Sequence, residues 1–195
     1  MLEQTVDHLL HNVLAAAVDY NAAEEALTHA YNADSTPASW ETAARMAKRR
    51  AAEVAIAIDA LTDRCSIELG QSKAAIRAVI STLCLYPGSG APRLGAHDRV
   101  RGVANAYKHQ DLSDPSLPIT SDADVLVVGL GYGLDGWGVG KYGGIEVLVQ
   151  EKSGEQFKFL GDVPVAVSAW SRFLAANGAA LPAGPFMVCN LQVHP

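Results

Sequence analysis

Cysteine is scarce. Three residues, Cys65, Cys84 and Cys189, are too few and odd in number for a disulfide framework. They form no CxxC pair, and each lies in apolar sequence. That predicts buried thiols and a reducing compartment. Charge is scarce too: Asp, Glu, Lys and Arg make up 18% of the chain, with a formal net charge of −6. Both 1–112 and 113–195 hold more acidic than basic residues, so neither is a basic nucleic-acid-binding body. Long apolar runs are missing as well, and no segment reads as a transmembrane helix. The opening stretch MLEQTVDHLLHNVL lacks the basic start of a signal peptide, so a cytoplasmic location is expected. No repeat of solenoid length is visible.

What the chain does have is apolar content. Hydrophobic residues make up 49% of the 195, too many for a disordered polymer. Much of this is alanine, which suits packed helices. Residues 2–31 read as one helix, with Val6, Leu9, Leu10, Val13, Ala17 and Tyr20 on a stripe. Asn32 to Ser35 form a turn. Ser35 or Thr36 can cap a second helix, with Pro37 in its first turn, running to about Leu69 and closed by Gly70. A third helix is expected over about 72–86 and a fourth over about 95–110, separated by the Pro87–Pro92 break.

The texture changes after Leu112. Pro115 and Pro118 mark a linker, and 124–130 reads as a β-run. Eight glycines crowd 129–144. Two strands, 145–150 and 156–160, flank a Ser153-Gly154 turn. Ile145, Val147 and Val149 are expected to face one side. Asp162 is expected to cap a last helix over about 163–176, with Trp170 covering the sheet. The tail 181–195 has one short apolar run. The expected fold is α+β: an N-terminal four-helix bundle (1–112), followed by a small antiparallel hairpin or sheet and a C-terminal packing helix (113–195).

The fourth helix is the densest in polar groups. At 100° per residue, His97, Asp98, Arg101, Asn105, Lys108 and His109 fall within roughly 120° of arc. Val100, Val103 and Tyr107 lie opposite. A histidine can move a proton, and a cation can stabilise charge on phosphate oxygens, so the set suits phosphodiester chemistry. The same spacing also describes a solvated face with i,i+4 contacts.

The segment Ala104-Asn105-Ala106-Tyr107-Lys108-His109 resembles the signature of HEPN domains, which are helical bundles. Asn105 and His109 match the short form R-N-x-x-x-H in type and spacing, whereas Ala104 stands at the arginine position. Arg101 lies one turn earlier and can reach the same space. The ANAxKH form is also similar to that of uncharacterised bacterial HEPN-like proteins in which a hairpin and a Trp-containing helix follow. The resemblance covers about 1–112. It implies either a metal-independent endoribonuclease of a toxin or defence system, with His109, Asn105 and Arg101 as catalytic residues, or a non-catalytic binding or assembly module. Ala104 favours the module. Either implies a homo-oligomer, a dimer, with RNA or a nucleotide as possible ligand. A purely structural oligomer is the third reading.

Other features carry less. Gly131 to Gly136 matches GxGxxG, but the glycines that follow cannot form the helix a dinucleotide site needs. No cofactor is therefore expected. Trp137 and Lys141, with Asp98 and Lys108, are candidate ligand-binding residues, because aromatics in a glycine-rich loop can stack on a base. Arg45, Lys48, Arg49 and Arg50 share the second helix. With Arg93, Arg99 and Arg101 they could attract phosphate, although such runs usually form solvated faces. Asp7, His8 and His11 have no supporting ligand set, so no metal is assigned.

Overall fold

The computed structural model describes residues 2–109, 114–129 and 144–194, and the fold is α+β. The first helical run comprises α1 (Glu3–His8), a π-helical segment (Leu9–Val13) and α2 (Leu14–Ala33). The wide π turn keeps Leu9, Val13, Ala17, Tyr20 and Leu27 buried on one stripe. At its start, the Gln4 and Thr5 amides donate to the Glu68 carboxylate, at 3.1 and 2.9 Å. A carboxylate there also favours the positive end of the helix dipole.

Helix α3 (Pro37–Leu69) has the boundaries its sequence announces. Thr36 is the N-cap, Pro37 the first residue, and Gly70 closes the helix at φ 64°. Helix α4 (Lys73–Thr82) is capped by Ser72, whose hydroxyl accepts from the Ala75 amide. It ends a turn earlier than expected. Leu85 instead bridges to Pro92, and the Tyr86 amide donates to the Ala91 carbonyl at 2.8 Å, closing a small loop. Helix α5 (Ala96–Lys108) follows Gly95, which sits at φ 74°.

After a 3-10 turn (Asp122–Asp124), β1 (Val125–Gly129), β2 (Ile145–Gln150) and β3 (Gln156–Lys158) form an antiparallel sheet in chain order. Val127 pairs with Val147, and Leu148 with Lys158. Strand β2 is not one-sided. Glu146 and Leu148 are buried as fully as Ile145, Val147 and Val149. Glu146 pairs with Lys158 at 3.1 Å, and the Val147 amide donates to buried Glu24 of α2 at 3.0 Å. Packing from both sides, rather than strict alternation, sets this strand.

Helix α6 (Phe159–Ala176) starts a turn before its expected position, so Pro164 lies inside it and Asp162 does not cap it. It packs on α3, α4 and α5 as well as on the sheet. Trp170 is fully buried, and its ring meets His97 and Phe173 edge-on. The tail holds a second hairpin, β4 (Phe186–Val188) with β5 (Leu191–Val193). Cys189 and Asn190 make its two-residue turn, both at positive φ, as a primed hairpin turn requires. Among the described residues, no helix is long and apolar enough to cross a membrane.

One buried polar knot joins the helical and β portions. Asp162 of α6 accepts from Arg93 Nε at 2.5 Å and from Arg99 Nε and Nη2 at 2.8 and 2.9 Å. Arg99 Nη1 also donates to Glu151 at 2.8 Å, and its guanidinium lies 3.7 Å from the Phe157 ring centroid. Arg93 further donates to the Lys158 carbonyl at 2.9 Å and to the Tyr86 hydroxyl. Removing one partner of such a group strands the other charges away from water. Asp162→Ala is therefore expected to cost about 3–5 kcal/mol in chemical denaturation. A loss below about 1 kcal/mol would place the knot among surface-type pairs.

The three thiols are buried and free, as their sequence surroundings predict. Burial pushes Cys65 and Cys84 up to about 11 and Cys189 up to about 12. The thiolate is the reactive form. All three should resist a thiol reagent at neutral pH until denaturant unfolds the chain, and labelling at the rate of a free thiol in the native protein would contradict this burial.

Candidate functional site

Helix α5 is the element on which the polar groups converge. It is buried nearly all round in its first two turns: His97, Arg99, Val100 and Arg101 are all inside. Arg99 turns toward Asp162 and the sheet. Arg101 lies roughly 160° away on the helix wheel, on the opposite face. There it donates to Asp98 at 3.0 Å and to Asp114 at 3.4 Å.

Helices α3 and α4 supply the rest of this second cluster. Lys108 Nζ donates to Asp59 Oδ2 at 2.9 Å, and Arg77 Nη2 lies 3.5 Å from Asp59 Oδ1. Asp59 is buried among Ile58 and Leu61 in the core stripe of α3. His97 lies under these charges, 1% exposed, with its ring 6.4 Å from that of Trp170. Burial lowers its pKa to about 4; the Arg101 and Arg77 charges act the same way, and those of Asp98 and Asp59 oppose it. It is therefore a neutral imidazole near pH 7, one nitrogen a donor and the other an acceptor.

The expected site residues have distinct places. Arg101, Asn105 and Lys108 share the polar face of α5, and each has an intramolecular partner. Asn105 Nδ2 donates to the Arg101 carbonyl at 2.8 Å. Asp98 pairs with Arg101. His109 has left the helix. It is the C-cap residue, with extended backbone (φ −127°, ψ 136°), and it is exposed. Its ring therefore does not continue the helical face on which the spacing placed it. Trp137 and Lys141, with the glycine-rich 130–143, lie outside the described residues.

The proposed basic surface does not form as a unit. Arg93 and Arg99 are buried in the knot around Asp162. Arg45, Arg49 and Arg50 pair with Glu41 and Glu53, with Asp19 also beside Arg50. Near the N-terminus, His8 is buried with Nε2 beside the Ala57 carbonyl, while His11 is exposed and pairs with Asp7. Among the described residues, no group of three acids, histidines or cysteines could hold a metal.

A shallow cleft of about 530 Å³ opens beside the knot, lined by Tyr86, Leu94, Arg99, Glu151, Glu155 and Phe157 among others. Arg99 points its nitrogens at Asp162 and Glu151, so this cleft offers the apolar surface of Tyr86, Pro92, Leu94 and Phe157 with acids beside it.

Sequence spacing finds His97 and Arg101 but misses Asp59 and Arg77, because those come from other helices. The signal that existed was the lone Asp59 within an apolar helical stripe. Comparison with known proteins adds no relative: no family model, no curated protein and no solved structure matches the chain.

Neutral His97 links stability to acid pH. Its folded pKa of about 4 lies below the ordinary histidine value of 6.5, so its contribution is fully present above pH 6.5 and is lost as pH falls toward 4. The loss should reach about 3 kcal/mol in urea denaturation, and His97→Gln should flatten the profile across that window. Identical acid profiles in parent and variant would show that His97 is not held neutral by burial.

Proposed function

We propose that the protein is a non-catalytic, HEPN-like binding module that engages RNA or a nucleotide and assembles as a homodimer. The observation that carries this reading is the state of the motif helix. Arg101, Asn105 and Lys108 are held by partners within the chain, and His109 stands exposed beyond the last helical turn. General acid–base catalysis needs a histidine within hydrogen-bond reach of the group it serves, with a cation placed for the developing charge. A motif face spent on internal ion pairs fits binding better than turnover. Ala104, in place of the signature arginine, points the same way.

The exposed His109 ring is what favours the second reading, a metal-independent endoribonuclease using His109 with Asn105 and Arg101. Incubation of the full chain with mixed RNA in EDTA separates the two. Bound, intact RNA in parent and His109→Ala alike is the expected outcome. Cleavage by the parent that the variant loses would establish the ribonuclease. RNA and nucleotide left unbound by both proteins would sink the module reading for these ligands. The dimer is tested separately by the mass of the protein in solution, where a monomer at all concentrations would contradict it.

A further inference from the structure

We propose that the buried polar cluster where α3, α4, α5 and α6 meet is a binding site for a phosphate group, built by Arg77, Arg101 and His97. This rests on the binding-module reading and gives it a place and a ligand chemistry distinct from the His109 end of α5.

The cluster holds buried polar atoms with nothing to bond. Both ring nitrogens of His97, Nε of Arg77 and Nε of Arg101 are buried without a hydrogen-bond partner among the described residues. So are the Trp170 indole nitrogen, in the ring packed edge-on against His97, Thr62 Oγ1, one turn from Asp59 on α3, and the Oδ1 oxygen of Asp59 itself. Buried polar groups nearly always find partners, and each exception calls for an explanation. One trapped water would account for one or two of these atoms. Orphans contributed by four packed helices call for an occupant that makes several bonds.

Their chemistry selects the occupant. Guanidinium Nε and indole nitrogen can only donate, a hydroxyl can do either, and a neutral imidazole offers one of each. Even with the Asp59 oxygen, which can only accept, donors outnumber acceptors, so the occupant must be rich in acceptors. The charges agree. Arg77 and Lys108, both partly exposed, reach the one buried carboxylate, Asp59, while buried Arg101 pairs with two acids nearer the surface. The other two acids, Asp98 and Asp114, are 38% and 44% exposed at the rim. The Arg101–Asp114 contact is long, at 3.4 Å, and its carboxylate is solvated, so it yields easily to a better anion. A phosphate supplies both the negative charge and the oxygens, and charge-assisted bonds to guanidinium are the strong ones. Asp114 occupies the position of a weak internal substitute.

The test is titration of the full chain with inorganic phosphate while following the Trp170 indole N–H resonance, assigned with Trp170→Phe. A saturable shift is expected. Arg77→Gln and Arg101→Gln should each weaken it by at least about tenfold, the equivalent of one charge-assisted hydrogen bond. Arg45→Gln, the same change on an exposed surface pair, should leave it unchanged. Asp114→Asn should tighten binding by removing the competing carboxylate, an effect that a purely structural role would not give, and one that stands if the arginine variants fail to fold. Competition by an RNA oligonucleotide identifies a phosphodiester as the natural group, and its absence a monoester; either supports the site. No saturable shift, a shift untouched by both arginine variants, or no tightening in Asp114→Asn overturns it and leaves trapped water as the partner of these atoms. RNA retained equally by both arginine variants, with phosphate silent, overturns the site while the binding-module reading survives.

Discussion

Asp162 is the charge around which the chain is organised. It is fully buried, and it is compatible with burial only because Arg93 and Arg99 reach it together. Taking such ions out of water costs several kcal/mol each, an expense met only by good geometry and saturated hydrogen bonds. The geometry is good: Arg99 grips both carboxylate oxygens, stacks on Phe157 and hands its remaining arm to Glu151. The knot thereby fixes two stretches of chain that lie more than fifty residues apart in sequence: the loop before α5 with α5 itself, and the end of the sheet with the first turn of α6.

That constraint decides what α5 can do. With Arg99 committed on one face, the helix cannot rotate, and its opposite face is pressed against α3 and α4. The polar stripe between Asp98 and Lys108 is then only partly solvated: Arg101 is buried within it, and Lys108 at its end reaches Asp59 of α3, which Arg77 of α4 also approaches. His97 sits where burial holds it neutral, below the cations rather than beside solvent. The same fixing leaves His109 outside, because the helix ends at Lys108 and the chain turns to extended backbone.

Much of the fold was legible in the sequence where local signals decide it. Thr36, Pro37 and Gly70 mark the ends of α3, and Ser153-Gly154 lies at the turn between β2 and β3. The parts that were not legible are those settled by distant partners. Asp162 has the sequence position of a helix cap, and only Arg93 and Arg99, more than sixty residues away, make it a buried anion. Glu146 reads as the outward residue of an alternating strand until Lys158 is seen beside it. The β4–β5 turn uses Cys189-Asn190 rather than a glycine signal. At the site, helical arithmetic placed Arg101, Asn105 and Lys108 on one face of α5, but it also placed His109 there, and the end of the helix leaves His109 off that face. It could not show that Asp59 and Arg77 meet that face.

The central claim is that the Asp162 knot makes one cooperative body of the helices, the β1–β3 sheet and α6. Native-state hydrogen exchange tests it most directly. Amides of α5, β2 and α6 should share one opening free energy, close to that of global unfolding. Exchange of α6 and β2 at a distinctly lower free energy than α3 and α5 would contradict it, because the two portions would then open independently despite the buried carboxylate between them.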